Sequence, residues 1–474
     1  MKSYRIVLFI FIVIGILIFV SAFFPKDGLV LGDFSLQFPD VHSMLTRDRQ
    51  VSEEPTETEM AWADSLARVQ LLAQEDTLAY YKNLLTGFPA RFYFPEDDLT
   101  FFDSLFTEME TAKETGQTIR VMHYGDSQIE MDRITGDLRQ KLQEQFGGGG
   151  PGMLPLLQTI PTPSILQRVS GNLSDYAVYG TSTRCRDGSY GLMGKFYRIH
   201  GDARFSMQAS SHRHAKPNAG KFATIKLIFK NSQKDFSATL TDEQHHYSRK
   251  YTQTVPELSI MEWQLDTPAT QLTLSMHGSA DIYAILADDR SGVSVDNIPI
   301  RGSSGTFFTQ LSISHLSRMY QWVNVKLIIL QFGGNSVPYL KTDQSIETFK
   351  EQAIKQIKYL QKACPRAKIL FIGPSDMSMR HNGQMKTYPH LPKVIDALKE
   401  AALDNGAAYW DIYSVMGGEN SMVSWVNKGF AGNDYVHFTT EGASKVGDIL
   451  SSSFLGMYDF FKLRKDMNIS LNSL

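Results

Sequence analysis

The sequence predicts an α/β fold in three layers, a parallel sheet covered by helices on both faces, into which a β-sandwich is inserted and ahead of which stands an apolar N-terminal helix. Three observations predict it. In the C-terminal part, short apolar runs alternate with amphipathic stretches of helical period, the pattern of strands buried on both faces between helices. From about Arg168 to Asp289 the helical period disappears, and short β-rich pieces such as "KFATIKLIFK" and "QLTLSMHG" are separated by Gly, Asn, Asp and Pro. Before all of this, residues 6–24 are apolar and uncharged.

The chain begins "MKSYRIVLFIFIVIGILIFVSAFF", where Lys2 and Arg5 precede an apolar run of about 19 residues from Ile6 to Phe24. That is close to the roughly 20 residues a helix needs to cross a bilayer. Residues 1–24 therefore read as a signal anchor, a transmembrane helix with its positive end inside, which puts everything after Pro25 on the extracytoplasmic, periplasmic side of the cell envelope. The stretch "VSA" (20–22) leaves a cleaved signal peptide as the alternative. Residues 25–60, mixed and then acidic, read as a stem linker. Helical spacing begins near Ala61 and recurs in "LTFFDSLFTEMETAKETG", just ahead of a short strand at 119–124, so 61–167 form the first part of the α/β unit. Residues 168–290 form the insert. Residues 291–474 complete the unit through "VKLIILQF", a helix over 344–363, "AKILFIGP", a helix ending at Gly406, and "AAYWDIY".

Composition excludes several classes. A net charge of -3, with no long basic run beside aromatics, gives no electrostatic reason to bind nucleic acid. Cys185 and Cys364, the only cysteines, lie far apart and cannot form a zinc site; they read as unpaired residues, with a single disulfide left open. Histidines in "SHRHAK" and "EQHHYS" lack an accompanying carboxylate pattern and read as solvated loops. No metal and no cofactor is expected. "GGGGPG" (147–152) follows a helix and lacks the Gly-Lys-Ser/Thr ending of a phosphate loop, so it reads as a mobile rim loop.

Four stretches remain, each at a predicted strand end, where sites form in parallel α/β sheets. They are Ser127 in "YGDS", Gly302 in "IRGSSG", Asn335 in "GGNS", and Asp434 and His437 in "DYVH". Alone, each has an ordinary reading as a turn or helix cap. Together they supply what acyl transfer needs. A serine hydroxyl requires a base, which His437 can be; an imidazole requires an orienting carboxylate, which Asp434 can be. A developing oxyanion requires donors, which the amides of Ser127 and Gly302 and the side chain of Asn335 can provide. Gly305 competes with Gly302 for its place.

In these four blocks the sequence resembles the SGNH/GDSL hydrolases. The resemblance covers roughly 90–165 and 291–460, and "HYGDSQIEMDRIT", "FGGGGPGM" and "GVSVDNIPIRG" are similar to bacterial envelope O-acetylesterases and O-acetyltransferases acting on peptidoglycan or exopolysaccharide. Arg301 and Ser336 depart from it, standing where many members carry Asn before the Gly and Asp after the Asn. The resemblance implies a serine esterase that removes O-acetyl groups from an envelope glycan through an acetyl-serine intermediate. Its alternative is an O-acetyltransferase with the same triad, fed by an integral-membrane acetyl-donor protein. A second alternative is a glycan-binding protein without catalysis. The intact set of Ser, Asn, Asp and His argues against the last.

Overall fold

The computed structural model describes residues 29–31, 34–36, 74–231, 235–242, 247–255 and 257–467. The expected anchor over 1–24 lies outside them, as does most of the stem; among the described residues no helix is long and apolar enough to cross a membrane. Residues 1–72 and 73–474 are separate compact units. Within the first, β1 (Leu29–Leu31) and β2 (Phe34–Leu36) pair as an antiparallel hairpin.

The second unit opens with α1 (Gln74–Gly87), β3 (Phe92–Tyr93), α2 (Asp103–Thr111), β4 (Thr118–Gly125) and α3 (Thr135–Phe146). An antiparallel block follows: β5 (Gly152–Leu154), β6 (Ile165–Ala177), β7 (Lys195–Ala209), β8 (Phe222–Asn231), β9 (Phe236–Asp242), β10 (Tyr247–Gln253), β11 (Leu258–Ala269) and β12 (Gln271–Asp288). The α/β alternation then resumes with β13 (Gly292–Pro299), α4 (Ile313–Trp322), β14 (Val325–Gln331), α5 (Asp343–Ala363) and β15 (Lys368–Ile372). After a small hairpin, β16 (Ser378–His381) and β17 (Gln384–Thr387), come α6 (Leu391–Leu403), β18 (Ala408–Trp410), α7 (Ile412–Met416), α8 (Ser421–Asn427) and α9 (Thr440–Asp466).

The main sheet runs β13-β4-β14-β15-β18-β3, parallel except for the short edge strand β3. Every residue of β14 is buried, as a strand covered on both faces requires. One face carries Met122, Tyr124, Ile328, Leu330 and Phe371 into a core shared with α4, α5 and α6. On α5 the apolar positions Ile346, Phe349, Ala353, Ile357 and Leu360 recur at steps of three and four, so one stripe faces the sheet. Thr342 caps this helix, its hydroxyl accepting from Ser345 N. α3 and α9 pack together behind β13, and an aromatic cluster of Phe92, Phe102, Phe106 and Phe454 joins α2 to α9.

The insert differs from the two-sheet sandwich expected. Its eight strands form one hydrogen-bonded sheet. The 18-residue β12 pairs with β7 on one side, and on the other with β9 along its first half and β8 along its second, so the strands stay linked through it. Alternation in a sequence marks which side chains point inward; it does not say which strands share hydrogen bonds. Pairing also begins at β5, ahead of the expected start at 168. The sheet has its own core, which includes Phe205, Ile225, Leu227, Trp263 and Leu274, while Ile228, Tyr283 and Leu286 turn outward into the core of the parallel sheet. A buried ion cluster fastens the junction: Arg120 on β4 meets Asp288 at the end of β12 and, at 2.6 Å, Asp296 on β13.

The glycine run is likewise not a mobile rim loop. Gly147, Gly149 and Gly150 are buried, and the strap is bonded on both sides, with Val293 N donating to Gly147 O, Asp289 N to Gly149 O and Gly150 N to Asn218 O. Gly148 and Gly150 have positive φ, and a Cβ there would stand 2.3 Å from Val293 O and 2.1 Å from Ala287 O. Close approach of two backbones explains these glycines.

Candidate active site

Strand β4 delivers Ser127 on the turn just past its carboxyl end, and His437 precedes α9. Their side chains meet, with Ser127 Oγ 2.8 Å from His437 Nε2. Asp434 Oδ2 lies 2.7 Å from His437 Nδ1, and Asp434 Oδ1 accepts from the backbone N–H of Val436 and of His437, each at 3.0 Å. Partial desolvation pushes the Asp434 carboxyl up, but the hydrogen bonds from His437 and Val436 more than offset it, leaving the pKa below its ordinary value. An ionised carboxylate only accepts, so the Nδ1 beside it carries the imidazole proton. Nε2 is then the acceptor facing the serine hydroxyl.

A cavity of about 240 Å³ opens at this pair, lined by Ser127 and His437 together with Asn335, Tyr339 and Tyr388. Asn335 follows β14 and reaches the site, yet its Nδ2 already donates to Asp126 Oδ2 and Ser303 O, both at 3.1 Å. An amide nitrogen has two hydrogens, so donation to an oxyanion would require one of these bonds to be shared or exchanged. Gly302 follows β13 with φ +72° and does not line this cavity; its N–H has no acceptor among the described residues. Gly305 N donates to Ser303 Oγ at 3.1 Å, and a Cβ at Gly305 would meet Phe332 at 2.7 Å. Packing therefore accounts for Gly305, and Gly302 is the one with an amide to spare. Both cysteines are free thiols.

Sequence reasoning missed the residues that hold the two loops together. Gln128 works as a strand would: its Nε2 donates to Val436 O at 2.7 Å, and its Oε1 accepts from Phe438 N at 3.2 Å, one on each side of His437. The Arg133 guanidinium donates to four carbonyls, Ser127 O at 2.7 Å, Gln128 O at 3.4 Å, Glu130 O at 3.0 Å and Phe438 O at 2.8 Å. Arg301 forks onto Glu130 through two 2.7 Å bonds, tying the loop of Gly302 to the loop of Ser127. Asp126 is buried, which pushes its carboxyl up to about 6 against the opposing bond from Gln128 N. For Gln128 and Arg133 the only sequence signal was proximity to Ser127, since side-chain-to-backbone bonds leave no periodicity. The stretch between Ser127 and α3 is not a continuous helix: Met131 and Asp132 have positive φ, and α3 begins only at Thr135.

Residues 273–450 match the model of the GDSL-like lipase/acylhydrolase family, a span that holds Asn335, Asp434 and His437 but not Ser127, which lies beyond the insert. No curated protein matches the chain significantly. Among solved structures, a peptidoglycan O-acetylesterase is 20% identical, covering 76% of this chain and 96% of its own at a TM-score of 0.61. That is a likeness of fold. A family two carbohydrate esterase from Cellvibrio japonicus is 9% identical, covering 65% of this chain and 98% of its own at a TM-score of 0.25. Residues 273–450 thus match the GDSL-like lipase/acylhydrolase family, and the chain shares its α/β fold with the peptidoglycan O-acetylesterase.

Proposed function

We propose that the protein is a serine esterase that removes O-acetyl groups from a cell-envelope glycan. The observation that carries this is the continuous line Ser127–His437–Asp434, with contacts of 2.8 and 2.7 Å, at the carboxyl end of a parallel sheet. In the reaction, Ser127 Oγ attacks the acetyl carbonyl carbon while His437 Nε2 takes the hydroxyl proton, and Asp434 stabilises the resulting imidazolium. The tetrahedral oxyanion is met by the amide of Ser127 and by Asn335 once it exchanges a bond, and the unspent amide of Gly302, outside the cavity lining, joins them on a shift of its loop. Collapse breaks the bond to the sugar oxygen, which leaves with the proton from His437. Water then attacks acetyl-Ser127 with His437 as base, and acetate departs.

The glycan is the substrate class implied by the sequence resemblance, and the O-acetylesterase fold supports it. The apolar run 6–24 supports an anchored protein on the extracytoplasmic side. That same run favours one second reading: an anchored enzyme beside a membrane acetyl donor would pass the acetyl group to a sugar hydroxyl instead of water. Both reactions share the acetyl-serine and diverge at its acceptor.

The test gives the full chain a small acetyl ester and glycan oligomers together, then follows acetate and acetylated glycan by mass spectrometry. Release of acetate, reduced to background in a folded Ser127→Ala protein, is the expected outcome. Unchanged activity in that variant would end the esterase reading, and predominant acetylation of the glycan would establish the transferase.

A further inference from the structure

Beside the Ser127 cleft lies a second, larger cavity of about 500 Å³, within the roughly 300–1,000 Å³ of small-molecule sites. Glu130, Met131 and Arg301, on the loops that carry Ser127 and Gly302, form one wall. The insert forms the other, with Asp175 on β6 and Lys195 and Tyr197 on β7. The cavity exists only because the insert covers this edge of the parallel sheet.

Its charges divide into two groups. Arg301 is spent on Glu130, and Arg139 on Asp132. Lys195 is half-buried and has neither a hydrogen-bond nor an ionic partner among the described residues; its Nζ stands 5.4 Å from the centroid of the Tyr197 ring. Burial pushes its pKa down to about 8, against the pull of Asp175. Asp175, exposed at the mouth, gives one carboxylate oxygen to the Ser182 hydroxyl at 2.7 Å, while the other has no partner among the described residues. The Tyr197 hydroxyl is tied to Leu157 O at 3.0 Å and the Tyr179 hydroxyl to Met193 O at 3.0 Å, so both rings are fixed as walls. A half-buried ammonium without a partner is costly unless something fills the site.

We propose that this cavity binds a further sugar residue of the same glycan chain, beyond the disaccharide whose acetyl group reaches Ser127, with Lys195 donating to its hydroxyls and Asp175 accepting from them. The inference rests on the glycan-ester reading above and adds that the substrate is an oligosaccharide. Ligand chemistry selects the class. A sugar ring both donates and accepts, and its C–H surface packs on aromatic walls. An apolar ligand would leave Lys195 unpaired, and a strongly anionic one would be opposed by Asp175.

Calorimetry on the full chain carrying Ser127→Ala, which binds without turnover, tests this with O-acetylated β-1,4-linked N-acetylhexosamine disaccharide and tetrasaccharide. The tetrasaccharide should bind about tenfold tighter, as expected when a charged hydrogen bond is added. Lys195→Gln and Thr181→Trp, which fills the cavity from another residue of its lining, should each erase that advantage while disaccharide binding persists, which also reports a folded protein. Equal affinity for the two lengths, an advantage that survives both substitutions, or failure of either sugar to bind would overturn the inference. Because binding is read without catalysis, acetate release by the unmodified chain separates failure of this subsite from failure of the esterase reading.

Discussion

Two glycine-rich segments, residues 147–152 and 300–305, look alike in sequence and do different work. In the first, glycine is demanded by sterics: two backbones press together, and a Cβ at Gly150 would stand 2.1 Å from a carbonyl oxygen. In the second, Gly302 has nothing within 4 Å of where its Cβ would be, and what it supplies is a positive φ and an unspent N–H. Glycine content therefore does not separate a structural strap from a candidate oxyanion loop. Space around the Cβ does.

The largest effect should come from the strap. Gly150→Ala forces a side chain into Ala287 O at φ +83°, at the seam between β5 and β12. We expect loss of most of the folded protein, a cost above about 3 kcal/mol, read by thermal melting. Gly302→Ala meets open space, so the same change should cost only about 1–2 kcal/mol of left-handed strain and keep the fold, while small-ester turnover falls about tenfold. Equal melting loss in both variants would erase the contrast.

Both segments also show what a sequence makes legible. The parallel sheet was readable because "VKLIILQF" and "AKILFIGP" are continuous apolar runs, and strands buried on both faces can hardly look otherwise. That Ser127, His437 and Asp434 would come together was readable from the residue types that acyl transfer calls for, but only Ser127 follows a strand as expected; Asp434 and His437 lie in the loop between α8 and α9. The strap was misread because close backbone approach leaves only glycine in the sequence, the same letter that flexibility leaves. The single hydrogen-bonded sheet was missed because β12 pairs with different partners along its two halves, and pairing partners are a tertiary choice. Gln128 and Arg133 were missed because their partners are backbone atoms more than 300 residues away.

Those two residues sharpen the comparison at smaller scale. Gln128→Ala removes both bonds that flank His437, and we expect turnover of a small ester to fall roughly tenfold through misplacement of the imidazole. Stability should drop by only about 1–2 kcal/mol, so a large melting shift with unchanged turnover would make Gln128 structural only. The smallest effect concerns Asp126. Its folded pKa, about 6, lies above the ordinary carboxylate value near 4. Its stabilising contribution is therefore present below about pH 4 and lost as pH rises through about 6. Asp126→Asn should remove that part of the melting profile, and a profile identical to the parent's between these values would show that Asp126 is ionised without penalty.

The central claim is that Ser127 is acylated. Rapid acid quenching of the full chain during turnover of an aryl acetate, followed by peptide mapping, measures it most directly. The account predicts one acetyl group on the peptide containing Ser127, absent from Ser127→Ala, with its decay matching acetate release. Turnover with no acetyl on that peptide, or with acetyl on another side chain, would contradict it.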